Sequence, residues 1–416
     1  MRLRLWWFVI VLPTLAGCRA ETTHSEAGNE GWNGATIVIG IDALRWDYPD
    51  KMDLEAIRGI GDRGVRADQL IPIFPTKTFP NFYALATGLY PNHSGILENT
   101  MYDPVLDARF RMGDTAAVRD ARWWQGEPIW VTAEREGVRA AVFFWPGSEA
   151  PIEGVRPSYW KAYDGSVEGS DRIAQVLKWL SLPPAERPGL VMVYFSAVDQ
   201  AGHRYGPSSE KTTEAAREID RLVGSLESGL KERGQLEKVN IVVVSDHGMS
   251  PRSNDRVIFL DDYVNPRTAG IVSLGQYVTL WPQPEAVDSV YLALAGAHPA
   301  LKVYKRDDLP PRFHLAGHRR TPPIIAVPAI GWTVSTHEEA NRRPGQFSGG
   351  AHGYDNAEPD MHGVFVAAGP AFRSTVRIDT LHAVDVYNLV AEALRLDPAP
   401  NDGDSSFIPQ LMKQEE

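Results

Sequence analysis

The chain has 416 residues, 43% hydrophobic and 23% charged, enough to bury a large core as one large α/β domain with an insertion or as two domains. Its formal net charge is −11, from 53 acidic against 42 basic residues, and no long basic run occurs, which argues against a nucleic-acid-binding face. Its one cysteine, Cys18, excludes a disulfide framework.

The N-terminus reads as a targeting segment. Arg2 and Arg4 form a basic start, and the apolar stretch from Leu5 to Ala16 is too short to span a bilayer comfortably. It ends in Leu15-Ala16-Gly17-Cys18, which resembles the lipobox of bacterial lipoproteins. Residues 1–18 are therefore expected to be a lipoprotein-type signal peptide and residues 19–34 a polar tether. The expected location is outside the cytoplasm, as a periplasmic or membrane-anchored lipoprotein of a bacterium. An ordinary signal peptide with a chance cysteine would also export the chain.

Beyond the tether, ATIVIGID (35–42) is a continuous apolar run ending in Asp42, the pattern of a buried parallel strand. Residues 52–64 read as a helix, and 81–87 as another entered through Thr78-Phe79-Pro80. A second strand covers 138–147, and an amphipathic helix capped by Ser170 covers 170–182. GLVMVYFSAVD (189–199) is a third buried strand, 208–233 a long amphipathic helix, and VNIVVVSDHG (239–248) a fourth strand. Residues 255–345 change to short strands, prolines and polar turns, the character of an inserted cap. A buried strand (362–372) and a closing helix (384–396) follow. This alternation predicts an α/β fold with a central, mostly parallel sheet flanked by helices.

In such sheets ligands gather beyond the carboxyl ends of the strands, where Asp42, Asp199 and Asp246 fall. His203 follows Asp199 by four residues amid backbone marked as irregular by Gly202 and Gly206-Pro207. His247 adjoins Asp246, with Gly248 permitting a turn, and His352 sits in a glycine-flanked loop. Carboxylates and imidazoles together suit a borderline cation such as zinc. A hydroxyl nucleophile lies in FPTKTFPNFYALATGL, where metal coordination would activate it and a helix start would offer amides to an anion. Spacing alone does not choose between Thr76 and Thr78.

The segments PTKTFPNFYALATGLYPNHSGI, NTMYDP, FFWPGSEA, VDQAGHRYGP, SDHGM and GGAHGYDN resemble, in order and spacing, the nucleotide pyrophosphatase/phosphodiesterase family of the alkaline phosphatase superfamily. The resemblance implies an alkaline phosphatase-like catalytic domain over 35–410, with the cap-like insertion at about 255–345. It implies two zinc ions, one among Asp42, Thr78, Asp246 and His247, the other among Asp199, His203 and His352. It makes Thr78 the nucleophile and Asn99 a donor to a phosphate oxygen. Phe79 and Tyr194 match the aromatic pair that sandwiches a nucleobase. The implied activity is zinc-dependent hydrolysis of phosphodiester or pyrophosphate bonds in nucleotides, through a phosphothreonine intermediate, releasing a nucleoside 5′-monophosphate.

One departure stands out: the chain reads Tyr90-Pro91-Asn92-His93-Ser94-Gly95, its histidine one position earlier than in many members. Other readings share the same metal set: a phosphomonoesterase, a phosphonate hydrolase, or a lysophospholipid or glycerophosphodiester phosphodiesterase. A surface protein that binds metal without catalysis is the reading from a different class.

Overall fold

The computed structural model describes residues 34–342 and 345–413. The signal peptide with Cys18, and the tether up to residue 33, lie outside the described residues. No described helix is long and apolar enough to cross a membrane.

Three β-branched runs, Thr36–Ile41, Leu190–Phe195 and Asn240–Val244, are buried along their whole length. Strands buried on both faces need apolar residues at every position, so these runs form the middle of a sheet covered on both sides. The sheet has eight strands, in the spatial order Val376–His382, Val65–Ile71, Gly363–Ala368, Asn240–Val244, Thr36–Ile41, Leu190–Phe195, Ala140–Phe143, Tyr159–Lys161. Only Gly363–Ala368 runs against its neighbours. Thr36–Ile41 lies between its two parallel partners, so the carboxyl ends of all three strands open side by side. The predicted α/β class with a mostly parallel sheet is the architecture observed.

Two groups of helices flank the sheet. Glu55–Arg63, Gly169–Leu180 and Glu210–Glu232 pack together, as do Thr78–Thr87, Ile129–Arg135 and Val386–Leu394. Glu210–Glu232 starts where its sequence predicts: the Ser209 hydroxyl accepts the Thr212 amide. The helix expected to be capped by Ser170 begins at Gly169 after Glu168, and no side chain caps it.

Three strands of the sheet are not read from the sequence. Val65–Ile71 mixes buried with half-exposed polar positions, Val376–His382 is an edge strand with exposed polar positions, and Tyr159–Lys161 is a three-residue edge. The strand expected to run through Asp199 stops at Phe195, and Ala197–Tyr205 is helical.

Within residues 255–345 a second sheet of four antiparallel strands, in the order Ile271–Ser273, Val278–Leu280, Ile324–Pro328, Leu301–Lys305, encloses its own core around Leu280, Leu294 and Ile324. One buried arginine ties this region to the hairpin that follows Asn99. Arg320, 1% exposed, donates to Asp103 Oδ2 at 2.6 Å and to the carbonyls of Gly95, Trp123 and Arg122 at 2.7, 2.6 and 2.9 Å. Arg319 shares Asp103 at 2.9 Å. Burial raises the Asp103 carboxyl, but hydrogen bonds from Arg319 and Arg320 outweigh it and hold the group well below the usual carboxylate range. Its contribution to stability is therefore present above the unfolded carboxylate pKa and is lost only in strong acid.

Removing one partner of a buried pair leaves the other groups unsatisfied, which typically costs about 3 kcal/mol or more. Arg320→Met should lower the unfolding free energy by about 3 kcal/mol in urea titrations, Arg319 remaining on Asp103. A midpoint within experimental error of the parent would mean that the hairpin does not depend on this anchor.

Candidate metal centre

Asp42 follows the central strand, and its amide donates to Phe195 O at 2.9 Å, which extends the pairing one residue past the strand. Its Oδ2 accepts the Tyr194 hydroxyl at 2.6 Å, while Oδ1 is buried without a hydrogen-bond partner. Asp246 follows the neighbouring strand. Its Oδ1 accepts the Ala43 amide at 3.1 Å, and its Oδ2 has no hydrogen-bond partner. Asp199 lies in the first turn of Ala197–Tyr205, where a carboxylate meets the positive end of the helix, and its Oδ1 is likewise unsatisfied. The expectation of irregular backbone here is corrected: helical spacing puts Asp199 and His203 on one face, with His203 Nε2 3.3 Å from Asp199 Oδ1.

His247 directly follows Asp246, and its ring turns back to the same space because the chain at Gly248 packs against another segment. A Cβ at Gly248 would lie 2.1 Å from Asp360 O and 2.9 Å from His362 O, so close approach is what demands glycine here. His352 is held rather than loose. The short strand Gly350–Ala351 pairs with Ser250–Pro251, and the ring then bonds Thr76.

The three histidines share one arrangement. Nδ1 lies 2.9 Å from Gly248 O in His247, 3.0 Å from Gly350 O in His203, and 2.8 Å from Thr76 O in His352. A carbonyl oxygen only accepts, so each Nδ1 carries a hydrogen and each ring turns its Nε2 inward. Burial holds His247 and His352 below the ordinary histidine range, so the Nε2 of each is an acceptor. His203 Nε2 and His352 Nε2 face each other 3.1 Å apart. His247 Nε2 lies 3.0 Å from Asp246 Oδ2 and 3.6 Å from Asp42 Oδ1. Lone pairs facing lone pairs repel unless a cation lies among them.

The carboxylates point to the same conclusion. Burial, with repulsion from neighbouring carboxylates, pushes Asp42 well above the usual range, and burial does the same to Asp246. Divalent cations would remove that penalty. Two ligand groups are brought together, Asp199 with His203 and His352, and Asp42 with Asp199 and His247. The residues present fit a centre of divalent ions.

The two candidate threonines separate by geometry. The Thr76 hydroxyl donates to Tyr354 O at 3.0 Å and accepts the Gly353 amide at 2.9 Å, so it is committed to holding the His352 loop. The Thr78 hydroxyl lies 3.5 Å from His247 Nε2, inside the ligand cluster. Thr78 is also the first residue of helix Thr78–Thr87, which starts earlier than predicted. The expected row of free amides is reduced: the Phe79 amide donates to Asn99 Oδ1 at 2.9 Å, and Pro80 has none. That bond fixes the Asn99 carboxamide with its oxygen spent and leaves Nδ2 as its donor. Lys77 is partly buried, and desolvation lowers its ammonium pKa while the Glu98 and Asp199 carboxylates act the other way. His93 lies apart, half exposed, with Nδ1 2.8 Å from Asp402.

A cleft of about 500 Å³ opens from Thr78 and Asp42 along Phe79, Tyr163, Tyr194 and Arg119. Tyr194 stands differently from its expected stacking role. Its hydroxyl is bound to Asp42, its ring packs edge-on against Phe82 at 5.1 Å, and it is 7% exposed. Tyr163, not singled out by sequence reasoning, is 51% exposed and lines the same cleft. Its sequence signal is weak: it is the last of three aromatics in SYWKAYDGS, just before a polar turn.

The model of the family described as "Type I phosphodiesterase / nucleotide pyrophosphatase" matches residues 36–355. The chain is 35% identical over 390 residues to human ectonucleotide pyrophosphatase/phosphodiesterase family member 1, covering 91% of this chain and 42% of that protein. It is 33% identical over 406 residues to human family member 5, covering 97% of this chain and 83% of that protein. It thus spans less than half of the first relative and most of the second. Murine ectonucleotide pyrophosphatase/phosphodiesterase 5 superposes with a TM-score of 0.86 at 34% identity, over 91% of this chain and all of that one. An inactive threonine-to-alanine variant of the murine protein, in complex with AMP, matches equally well. The site is a strand-end cluster of metal-type ligands on a mostly parallel sheet, with a hydroxyl at its edge. This chain belongs to the type I phosphodiesterase/nucleotide pyrophosphatase family.

Groups that orient a metal ligand typically matter about tenfold or more in metal affinity. Tyr194→Phe keeps the ring and removes only the bond to Asp42. Chelator competition should show zinc bound about tenfold more weakly in that variant. Unchanged affinity would mean the hydroxyl does not support the ligand.

Proposed function

We propose that this chain hydrolyses phosphodiester or pyrophosphate bonds in nucleotides, releasing a nucleoside 5′-monophosphate, with two zinc ions and Thr78 as nucleophile. The observation that carries this is the convergence of unsatisfied buried carboxylate oxygens and inward imidazole lone pairs on the Thr78 hydroxyl. Asp42, Thr78, Asp246 and His247 would hold one ion, and Asp199, His203 and His352 the other. Bound there, the ions would lower the pKa of the threonine hydroxyl and neutralise charge on the attacking and leaving oxygens.

The residues of the chain then divide the work. Thr78 Oγ1 attacks phosphorus in line, the bond to the leaving alcohol or phosphate breaks, and phosphothreonine remains. Asn99 Nδ2, fixed by the Phe79 amide, donates to a non-bridging oxygen as charge develops there. Attack of water on phosphorus from the opposite side releases the monophosphate and restores the hydroxyl. Phe79 and Tyr163 form the walls of a slot for a nucleobase, while Tyr194 keeps Asp42 in place. Residues 255–345 act as a cap on a catalytic domain spanning 35–410. The N-terminal segment makes the protein an exported bacterial lipoprotein, periplasmic or membrane-anchored through Cys18.

The deciding experiment compares kcat/KM for a nucleotide p-nitrophenyl diester with that for p-nitrophenyl phosphate. The diester should be strongly preferred, and Thr78→Ala should lower its turnover by roughly a thousandfold or more while two zinc ions per chain are retained. Preference for the monoester would make the enzyme a phosphomonoesterase. Normal turnover by the variant would move the nucleophile elsewhere.

Cys18→Ser should shift the protein from the membrane to the soluble fraction of the cell envelope. Continued sedimentation with membranes would contradict lipid anchoring at this residue.

A further inference from the structure

The cleft holds an ion pair that the hydrolytic chemistry does not use. Glu149, 7% exposed, accepts the Tyr163 amide on Oε1 at 3.0 Å and the Arg119 Nε–H on Oε2 at 2.9 Å. Both of its oxygens are thereby engaged, one fixing the backbone of Tyr163 and the other fixing a guanidinium. Arg119 ends the short helix Thr115–Arg119, and its side chain remains 43% exposed. The two residues line the same cleft as Thr78, Phe79 and Tyr163. Anchored through Nε, Arg119 keeps both terminal Nη groups, which can only donate.

We infer that Arg119 sets base preference, selecting nucleotides whose base presents carbonyl oxygens over those presenting amino groups; this rests on the nucleotide-hydrolase reading above. The reason is donor–acceptor matching. Guanine offers O6 and N7 as paired acceptors for a guanidinium fork, and uracil offers O4. Adenine and cytosine place an amino donor at the corresponding position, where it faces another donor. Glu149 bonds Arg119 and the Tyr163 amide alike, which ties the fork to the segment carrying one wall of the slot and assigns it to the base rather than the phosphate. The partly exposed position limits discrimination to about tenfold, the lower part of what a bidentate contact supplies.

The test measures kcat/KM for GTP and ATP on the full-length, zinc-loaded protein, with wild-type hydrolysis of bis(p-nitrophenyl) phosphate as a diester that carries no base. The expected GTP/ATP ratio is about ten in the parent and near one in Arg119→Ala, with Arg119→Lys in between. Because the ratio is taken within one protein, a loss of folded fraction in a variant cancels. A parental ratio at or below one overturns the inference, as does a ratio unchanged by Arg119→Ala. If the base-free diester is cleaved while the ratio fails, only the base assignment falls. If no diester is cleaved, the hydrolase reading falls with it.

Discussion

Repulsion between lone pairs is the constraint around which the centre is built. Three carboxylates and three imidazoles face one space, and each imidazole has its Nδ1 hydrogen on a backbone carbonyl. Protonating Asp42 and Asp246 would relieve the carboxylates, and burial pushes both in that direction. It would still leave His352 Nε2, held neutral by burial, turned toward His203 Nε2 at 3.1 Å and stacked beside the His247 ring. A divalent ion resolves both conflicts at once. The metal-free arrangement is therefore costly, and the surrounding fold must supply the energy that holds it.

The fold supplies it by drawing the ligands from several separate rigid elements. Asp42 and Asp246 extend neighbouring strands, and Asp199 and His203 are locked together by one turn of helix. His352 is fixed by a strand pair on one side and Thr76 on the other. None of these elements can relax toward another without breaking sheet or helix hydrogen bonds. Gly248 shows how little slack remains, because a single methyl group there would collide with Asp360 O. A preorganised shell of this kind favours the ion without further folding cost at the moment of binding.

The sequence carries the strong parts of this design openly. Apolar runs that end in Asp are unusual because a carboxylate at the end of a buried strand needs compensation, and so Asp42 and Asp246 can be read as ligands. Weaker periodicity hides other parts. Val65–Ile71 holds an inner place in the sheet, yet its polar residues obscure it. The helix around Asp199 follows its strand so closely that the hydrophobic pattern shows no break. Thr76 and Thr78 differ only in tertiary partners, which no spacing rule contains. Tyr194 shows the converse: the family resemblance picks out the position, while the bond to Asp42 and the burial of its ring exist only in the folded chain. The Arg119–Glu149 pair joins residues thirty positions apart and leaves no local trace.

Chemistry and recognition occupy different structural layers, and Arg320 connects them. The ligands sit on sheet ends and a regular helix, whereas the cleft beyond them is walled by a short helix and loops. Such walls can change composition without disturbing the centre. They must still be placed relative to it. Arg320 does this from the inserted region by gripping Asp103, in the strand that directly follows Asn99, together with Trp123 and Arg122, just beyond the helix that carries Arg119. One fully buried guanidinium thus positions both the segment that follows Asn99 and the segment just beyond Arg119. Its desolvation is offset only when all of these acceptors are in place. Residues far along the chain thus help to place the walls of the cleft without lining the ligand cluster themselves.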